Sequence, residues 1–145
     1  MIKILCVGKI KESYLNDLIN DYKTRITKYH KIEIVELKDS NITEESNEIL
    51  KVLNSKDYNI YMDIKGEKID SVGLSNLIDS TFSSGKGTIT FIIGGSNGVN
   101  DSVRNTIDKR ISMSDMTFPH GLFRGILLEQ IYRSFKIINN ESYHK

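Results

Sequence analysis

The sequence predicts an α/β domain with a mostly parallel sheet and helices on both of its faces. Short apolar runs typical of buried strands alternate about five times with longer segments whose apolar residues recur at helical spacing. The segments that join successive runs are too long for hairpins and suit the crossovers between parallel strands. A chain of 145 residues has the usual length of one domain, so we expect a single domain over residues 1–145.

The first half of the chain contains two strand-helix units. The apolar run Ile2–Val7 predicts a buried strand, and apolar residues at spacings of three and four predict an amphipathic helix over residues 12–29. Alternating apolar residues predict a second strand around residues 32–37. Asn41, with Glu44 three residues later, resembles a capping box and predicts that a second helix begins there.

The third unit and the strand after it follow the same pattern. Residues 59–64 predict a strand that ends at Gly66, and Ser71 is the expected N-cap of the next helix. Residues 88–93 predict a fourth strand, which leads directly into a turn with three glycines.

The last elements are shorter, apart from the final helix. Asn100 or Asp101 is expected to cap a short helix, followed by a weak strand over residues 111–113. The final helix is predicted over residues 121–138, just after the only proline, Pro119, whose fixed φ suits the first turn of a helix.

The composition excludes several classes of protein. The chain has 39% hydrophobic and 27% charged residues, as an ordinary globular domain has. The single cysteine, Cys6, excludes an internal disulfide and a cysteine-rich zinc site, and we expect no metal. No apolar stretch reaches the roughly 18 residues of a membrane span, and the first residues do not form a secretory signal, so we expect a cytoplasmic protein that binds no membrane. The net charge of +1 means that a nucleic-acid partner would need a local basic patch.

The stretch FIIGGSNGVN is a strand followed by a glycine turn at the edge where ligands bind in parallel α/β sheets. The motif GGSNG fits neither GxGxxG nor GxxxxGK[ST], and no lysine follows it, which disfavours a diphosphate ligand. Two interpretations stay open. The glycines allow a ligand such as an adenine or a ribose to approach the backbone, or they only provide the positive φ of a tight turn.

The final helix is apolar on more than one face, which is typical of a helix buried between layers or at a subunit interface. The apolar faces of this helix therefore indicate that the protein is a homo-oligomer. Arg124 lies in its first turn, where a cation opposes the helix dipole. A substrate phosphate, a partner carboxylate and plain solvation are all open explanations for this arginine. Glu129 and Arg133 are four residues apart and suit a surface ion pair.

The chain ends in Tyr143, His144 and Lys145. Terminal residues are commonly disordered, so a frayed tail is one interpretation. The same three residues offer an aromatic ring, an imidazole that titrates near neutral pH and a cation, which together suit contact with RNA.

Four segments together resemble a known family: IKILCVGKIKESY, FIIGGSNGV, DMTFPH and LLEQIYRSFKIINNESYHK. They are similar to the bacterial 23S rRNA (pseudouridine) methyltransferases of the SPOUT superfamily, and the resemblance extends from residue 1 to residue 145. It implies an α/β domain with a C-terminal trefoil knot, which acts as a homodimer with S-adenosylmethionine as methyl donor. It also implies methylation of N3 of a pseudouridine in the large-subunit stem-loop that faces the small subunit, with 23S rRNA in the ribosome as partner.

The resemblance also implies where the cofactor binds. Carried over by position, the cofactor-binding residues are Met62, Gly94, Met113, Ser114, Asp115, Met116, Thr117 and Phe118. For catalysis we assign His144 as the base or as the residue that orients the substrate, assisted by Tyr143 and Arg124. Contacts with RNA are assigned to Arg133, Lys145 and Lys9.

Two other functions compete with this one. A non-catalytic module that binds ribosomes or RNA would keep the same fold without the chemistry. A flavodoxin-like FMN protein would need hydroxyl groups in a phosphate loop, and their lack, with the lack of tryptophan, disfavours it.

Overall fold

The computed structural model describes residues 1–145 as five strands and five helices. The strands are β1 (Ile2–Val7), β2 (Ile32–Leu37), β3 (Tyr58–Lys68), β4 (Ile89–Ile93) and β5 (Lys109–Ser112). The helices are α1 (Ser13–Ile26), α2 (Ile42–Val52), α3 (Ser71–Ser83), α4 (Asp101–Arg104) and α5 (His120–Ile138).

The five strands form one sheet in the order β2-β1-β4-β3-β5, and every pair of neighbours is parallel. Side chains of β1 alternate between its two faces. Ile4 and Cys6 pack with α1, α3 and α5 in the larger core, whereas Leu5 and Val7 pack with α2 and α4 in the smaller one. The predicted α/β fold with helices on both faces is confirmed.

Several bounds differ from the prediction because tertiary contacts override local signals. Strand β3 does not end at Gly66 but continues to Lys68, because it pairs with β5 again beyond an irregularity. The N-cap of α3 is Asp70 rather than Ser71, since the Asp70 carboxylate accepts a hydrogen bond from the Gly73 amide. The predicted cap of α2 is confirmed, with the Asn41 side chain accepting from the Glu44 amide at 2.8 Å.

The segment that follows β5 crosses the carboxyl ends of other strands. Strand β5 is at one edge of the sheet, whereas Nε2 of His120, at the start of α5, lies 2.9 Å from the carbonyl oxygen of Val7 at the end of β1. Strands β3 and β4 lie between β5 and β1, so residues 113–119 pass over both of them. The predicted trefoil knot would involve this segment and stays a prediction.

Two further features bear on the class of protein. No helix combines the length and the apolar character that crossing a bilayer requires. No three side chains of the metal-binding types His, Cys, Asp and Glu lie together in a way that would hold a metal ion.

Candidate functional site

A cleft of about 720 Å³ opens at the carboxyl ends of β3, β4 and β5. Its apolar lining comes from strand ends and from the segment that crosses them. The nine apolar residues are Tyr61, Met62, Ile64, Ile93, Ile111, Met113, Met116, Phe118 and, from the start of α5, Phe123. The glycine turn after β4 forms another part of the wall. The cleft therefore lies at the edge of the sheet where the sequence predicted a ligand site.

Seven of the eight predicted cofactor-binding residues line this cleft, namely Met62, Gly94, Met113, Ser114, Met116, Thr117 and Phe118. These residues are up to 56 positions apart in the sequence. The fold brings them together because β3, β4 and the segment after β5 converge at the cleft. The eighth residue, Asp115, does not line the cleft. Its side chain is 72% exposed and forms an ion pair with Lys68.

The structure supports the tight-turn interpretation at Gly98, whereas the approach of a ligand to Gly94 stays a prediction. Gly98 has φ of +76° and donates a hydrogen bond from its amide to the Gly95 carbonyl at 2.9 Å, so it is a tight-turn glycine. Gly94 is buried and lines the cleft. A Cβ at Gly94 would lie 3.1 Å from Cγ1 of Val99, which is fully buried. The absence of a side chain at Gly94 therefore lets the turn fold tightly against the end of β4.

Helix α2 supports this turn on the face of the sheet that carries the smaller core. The Oγ of Ser46 accepts a hydrogen bond from the backbone amide of Asn100 at 3.1 Å. The carboxylate of Glu45 lies against Gly95 and accepts from the Ser40 amide at 2.7 Å. Both side chains are buried, although they are polar. Sequence reasoning missed them, and the available signal was a serine on the same helix face as Ile42 and Ile49.

The other wall of the cleft is charged, and sequence reasoning missed this as well. Asp63 faces Arg110 with an oxygen-to-nitrogen distance of 3.5 Å, and Asp101 pairs with Arg104 at 3.1 Å. Lys65 lies on the same wall. The buried hydroxyl of Tyr61 lies below the turn, and burial, with the nearby Asp63 carboxylate, raises the pKa of Tyr61.

Arg124 is buried rather than free to contact a substrate. Only 3% of its side chain is exposed, its Nη1 lies 2.6 Å from a Glu36 carboxylate oxygen, and its Nη2 donates to the Gly8 carbonyl at 3.0 Å. Of the three explanations open from sequence, the structure supports the partner carboxylate. The structure thus replaces the predicted catalytic role of Arg124 with a structural one. Its guanidinium pairs with Glu36 on β2 and with the loop after β1, and it holds both against α5.

The C-terminal tail is packed on α5. The Tyr143 hydroxyl donates to Glu129 at 2.9 Å, and the Arg133 guanidinium lies 4.7 Å from the centre of the Tyr143 ring. Arg133 also pairs with Glu129, with Nε 3.0 Å from the carboxylate, as its spacing predicted. Burial, followed by hydrogen bonds with Tyr22 and Glu129, raises the pKa of Tyr143 well above its ordinary value. The tail is thus ordered by specific contacts instead of being frayed.

The remaining predicted residues are exposed and lie away from the cleft of their own chain. His144 is exposed, with Nδ1 3.2 Å from Nη1 of Arg133. Lys145 and Lys9 are exposed, at the chain end and in the loop after β1. No residue of the tail lines the cleft. The structure brings seven of the eight predicted cofactor residues together at the cleft but leaves the predicted catalytic residues elsewhere on the subunit.

The sequence and the fold are both similar to known proteins. Residues 1–144 match a family model described as "Predicted SPOUT methyltransferase". Proteins named ribosomal RNA large subunit methyltransferase H from Fusobacterium nucleatum subsp. nucleatum and Acetivibrio thermocellus are 46% and 43% identical to this chain, with 99% of each chain covered. A protein named putative ribosomal RNA large subunit methyltransferase H from Methanococcus maripaludis is 46% identical, again with 99% of each chain covered.

Solved structures share the fold at low sequence identity. A probable methylase family protein from Haemophilus influenzae Rd KW20 superposes with a TM-score of 0.58 and 12% identity, over 99% of this chain and 70% of that one. The SpoU methyltransferase AviRb from Streptomyces viridochromogenes gives a TM-score of 0.51 and 12% identity, over 98% and 62% of the two chains.

Proposed function

Because this chain belongs to the SPOUT methyltransferase family, we propose that it transfers a methyl group from S-adenosylmethionine to N3 of a pseudouridine in 23S rRNA. The substrate would be the large-subunit stem-loop that faces the small subunit, within the ribosome, and the enzyme would act in the cytoplasm. The observation that carries the proposal is the cleft lined by the glycine turn and by residues 113, 114 and 116–118.

The cleft fits S-adenosylmethionine in size and chemistry. Its volume of about 720 Å³ is in the usual range of small-molecule sites. Met62, Ile111 and Met113 provide apolar surface for an adenine ring, and the turn at Gly94 brings backbone polar groups close to it. When bound, S-adenosylmethionine supplies an already activated methyl group. The protein then has to hold the acceptor nitrogen in line with that group, and positioning can provide much of the rate.

The contact between Arg133 and His144 favours one of the two roles considered for the histidine. A guanidinium can only donate hydrogen bonds, so Nδ1 of His144 must accept, and the neutral ring carries its proton on Nε2. In this tautomer the ring has no acceptor left for the N3 proton. We therefore assign His144 to orient the target base, with Nε2–H donating to a carbonyl oxygen beside N3. That oxygen becomes more negative once the N3 proton has left to solvent, so the bond strengthens as the reactive form appears.

The position of the tail leads us to propose that the enzyme is a homodimer with composite active sites. Arg133, which holds His144, is ten residues from the cleft-lining Phe123, or about 15 Å along α5. A tail held in this way does not reach the cleft of its own subunit. A second copy packed on the half-buried apolar residues Leu122, Phe123 and Ile126 would bring its tail to the cleft instead.

Transfer of label from S-adenosylmethionine to ribosomes tests the proposed reaction directly. We expect label in 23S rRNA at one pseudouridine, and reverse transcription to stop there because a methyl group on N3 blocks base pairing. Deletion of residues 143–145 should abolish labelling while calorimetry shows nearly unchanged affinity for S-adenosylmethionine. Binding of ribosomes without any transfer would support the non-catalytic RNA-binding module instead.

Mixed dimers test whether the tail acts across the interface. His144→Ala removes the imidazole of the tail, and Thr117→Arg places a large side chain at an exposed position that lines the cleft. Each variant alone should be inactive. If the sites are composite, mixing them should restore about a quarter of the wild-type activity, because about half of the dimers are mixed and each mixed dimer has one complete site. A mixture as inactive as its components would show that the tail acts within its own subunit.

A further inference from the structure

Strand β3 carries a bulge at the mouth of the cleft. Met62 and Glu67 both pair with Ile111, so residues 63–66 bulge out of the ladder between β3 and β5. A Cβ at Gly66 would lie 2.8 Å from the backbone of Arg110, so only glycine allows the two strands to approach this closely. Bulges of this kind are common beside functional sites, where they redirect side chains. Here the bulge directs Asp63 and Lys65 towards the cleft.

Asp63 organises the bulge from within. One of its carboxylate oxygens accepts a hydrogen bond from the Lys65 amide at 3.0 Å, and the other faces the Arg110 guanidinium at 3.5 Å. The Asp63 side chain is only 13% exposed, whereas that of Arg110 is 47% exposed. The carboxylate thus fixes the backbone of the bulge and holds the arginine at the edge of the cleft, with most donors of Arg110 free.

Three cations from separate segments meet at this wall: Lys65 from the bulge of β3, Arg104 from α4 and Arg110 from β5. The carboxylate partner of Arg104 is Asp101, whose side chain is 89% exposed. An ion pair with so exposed a carboxylate contributes little to stability, so Arg104 can exchange its partner at low cost. Arg110 stays beside Asp63 and keeps most of its donors free for a ligand. Lys65 has no carboxylate partner, and the five charged groups of the wall leave one net positive charge.

We propose that Lys65, Arg104 and Arg110 bind the phosphates that flank the target nucleotide. This inference rests on the proposed function, which requires one base of an RNA to enter the cleft. The phosphates on either side of that base must then pass over the mouth of the cleft. Two guanidinium groups match phosphate oxygens through paired donors, and a lysine adds a point charge. These contacts would position the RNA without reading its sequence.

The same cations could instead take the carboxylate of the cofactor, since a carboxylate and a phosphate are both anionic groups. The positions of the cations favour RNA. Lys65 and Arg110 are exposed at the rim, whereas the buried Met62 and Gly94 form the base of the cleft. The phosphates of an RNA that passes over the mouth of the cleft therefore meet these rim cations, whereas the base of the cleft lies deeper.

The test is a set of charge-removing variants measured in two separate binding assays. Arg104→Gln, Arg110→Gln and Lys65→Gln, singly and combined, are compared with Lys51→Gln, a matched control whose side chain is 71% exposed on α2. RNA affinity is measured with ribosomal subunits at several salt concentrations, and S-adenosylmethionine affinity by calorimetry. For the triple variant we expect RNA affinity to fall at least tenfold, and the salt slope to fall by roughly 0.7 to 0.9 for each lost phosphate contact. Lys51→Gln should match the wild type in both assays.

The outcomes separate this inference from the proposed reaction. RNA affinity and salt slope equal to those of the wild type in the triple variant would overturn the inference, whether or not the enzyme methylates RNA. A loss of S-adenosylmethionine affinity with unchanged RNA affinity would also overturn it and assign the cations to the cofactor. Failure of the wild type to methylate ribosomes would overturn the reaction while the binding assays still decide on the cations. If the triple variant does not fold, the single variant Lys65→Gln decides the question, because Lys65 is exposed and forms no ion pair. Its RNA affinity is expected to fall by about threefold.

Discussion

The Oγ of Ser46 lies 3.1 Å from the backbone nitrogen of Asn100 and accepts its hydrogen bond, although 54 residues separate them. Ser46 is completely buried, so no water can replace it without rearrangement. The bond fixes the end of the glycine turn that lines the cleft. Helix α2 therefore supports the cleft that we propose as the cofactor site, although it contributes no lining residue.

Ser46→Ala should loosen the turn. The substitution leaves the Asn100 amide without a partner, which costs about 1–3 kcal/mol of unfolding free energy. Affinity for S-adenosylmethionine should fall as well, because the turn is no longer held in one conformation. Urea unfolding and calorimetry measure the two effects.

Ser75→Ala is the matched control for Ser46→Ala. Ser75 is also buried, but its hydroxyl donates only to the Val72 carbonyl of its own helix. This variant should stay within about 0.5 kcal/mol of the wild type, since alanine has the higher helix propensity and no distant partner is lost. Equal effects of the two substitutions would mean that the bond to Asn100 has no special role.

Local signals predicted most elements of this fold, because apolar spacing and caps such as Asn41 are properties of neighbouring residues. The pattern of alternating elements also placed the glycine turn after β4 at the edge of the sheet where ligands bind, and this turn does line the cleft. The order of the strands and the bulge opposite Ile111 depend on pairing between distant segments, which no local signal encodes. For the same reason the partner of Arg124 stayed open: Glu36 is 88 residues away.

Gly94→Ala should weaken folding and cofactor binding together. The added methyl would lie 3.1 Å from Cγ1 of Val99 and 3.3 Å from the Gly98 carbonyl group, so the turn has to shift. We expect a loss of about 1–2 kcal/mol in unfolding free energy from overpacking and about a tenfold loss of S-adenosylmethionine affinity. Gly87→Ala, where an added Cβ meets nothing within 4 Å, is the control. Unchanged affinity in Gly94→Ala would exclude the turn from the cofactor site.

Arg124→Met should destabilise the protein by about 2 kcal/mol. It removes the donor to the Gly8 carbonyl and leaves Glu36 without its partner. The cost is below that of breaking a fully buried pair, because 34% of the Glu36 side chain remains in contact with solvent. A double-mutant cycle with Glu36→Gln, followed by urea unfolding, isolates the coupling between the two side chains.

Lys51→Met, which breaks an exposed pair with Glu48, is the control for Arg124→Met and should cost less than about 0.5 kcal/mol. If Arg124→Met were as stable as this control but lost methyl transfer, Arg124 would act on the substrate as first predicted.

His30 should make the protein less stable below neutral pH. Its ring stacks on that of Phe82, with the centroids 4.2 Å apart, and on that of Phe135, with the centroids 5.6 Å apart. Burial, and to a lesser extent the nearby chain amino terminus, lowers the pKa of His30 in the folded state. Because the folded state then binds fewer protons at His30 than the unfolded state, the contribution of His30 to the unfolding free energy should be constant above the unfolded pKa of about 6.5 and should decrease as the pH falls below it.

Urea unfolding between pH 8 and pH 5.5 measures this dependence in a range where most carboxylates stay ionised. His30→Gln keeps a polar side chain but does not titrate, so its unfolding free energy should change less over this range than that of the wild type. His30→Phe should show the same flatter profile while it retains the stacking on Phe82 and Phe135, which separates the effect of the proton from the effect of packing. A wild-type pH profile in both variants would assign the acid sensitivity to other groups.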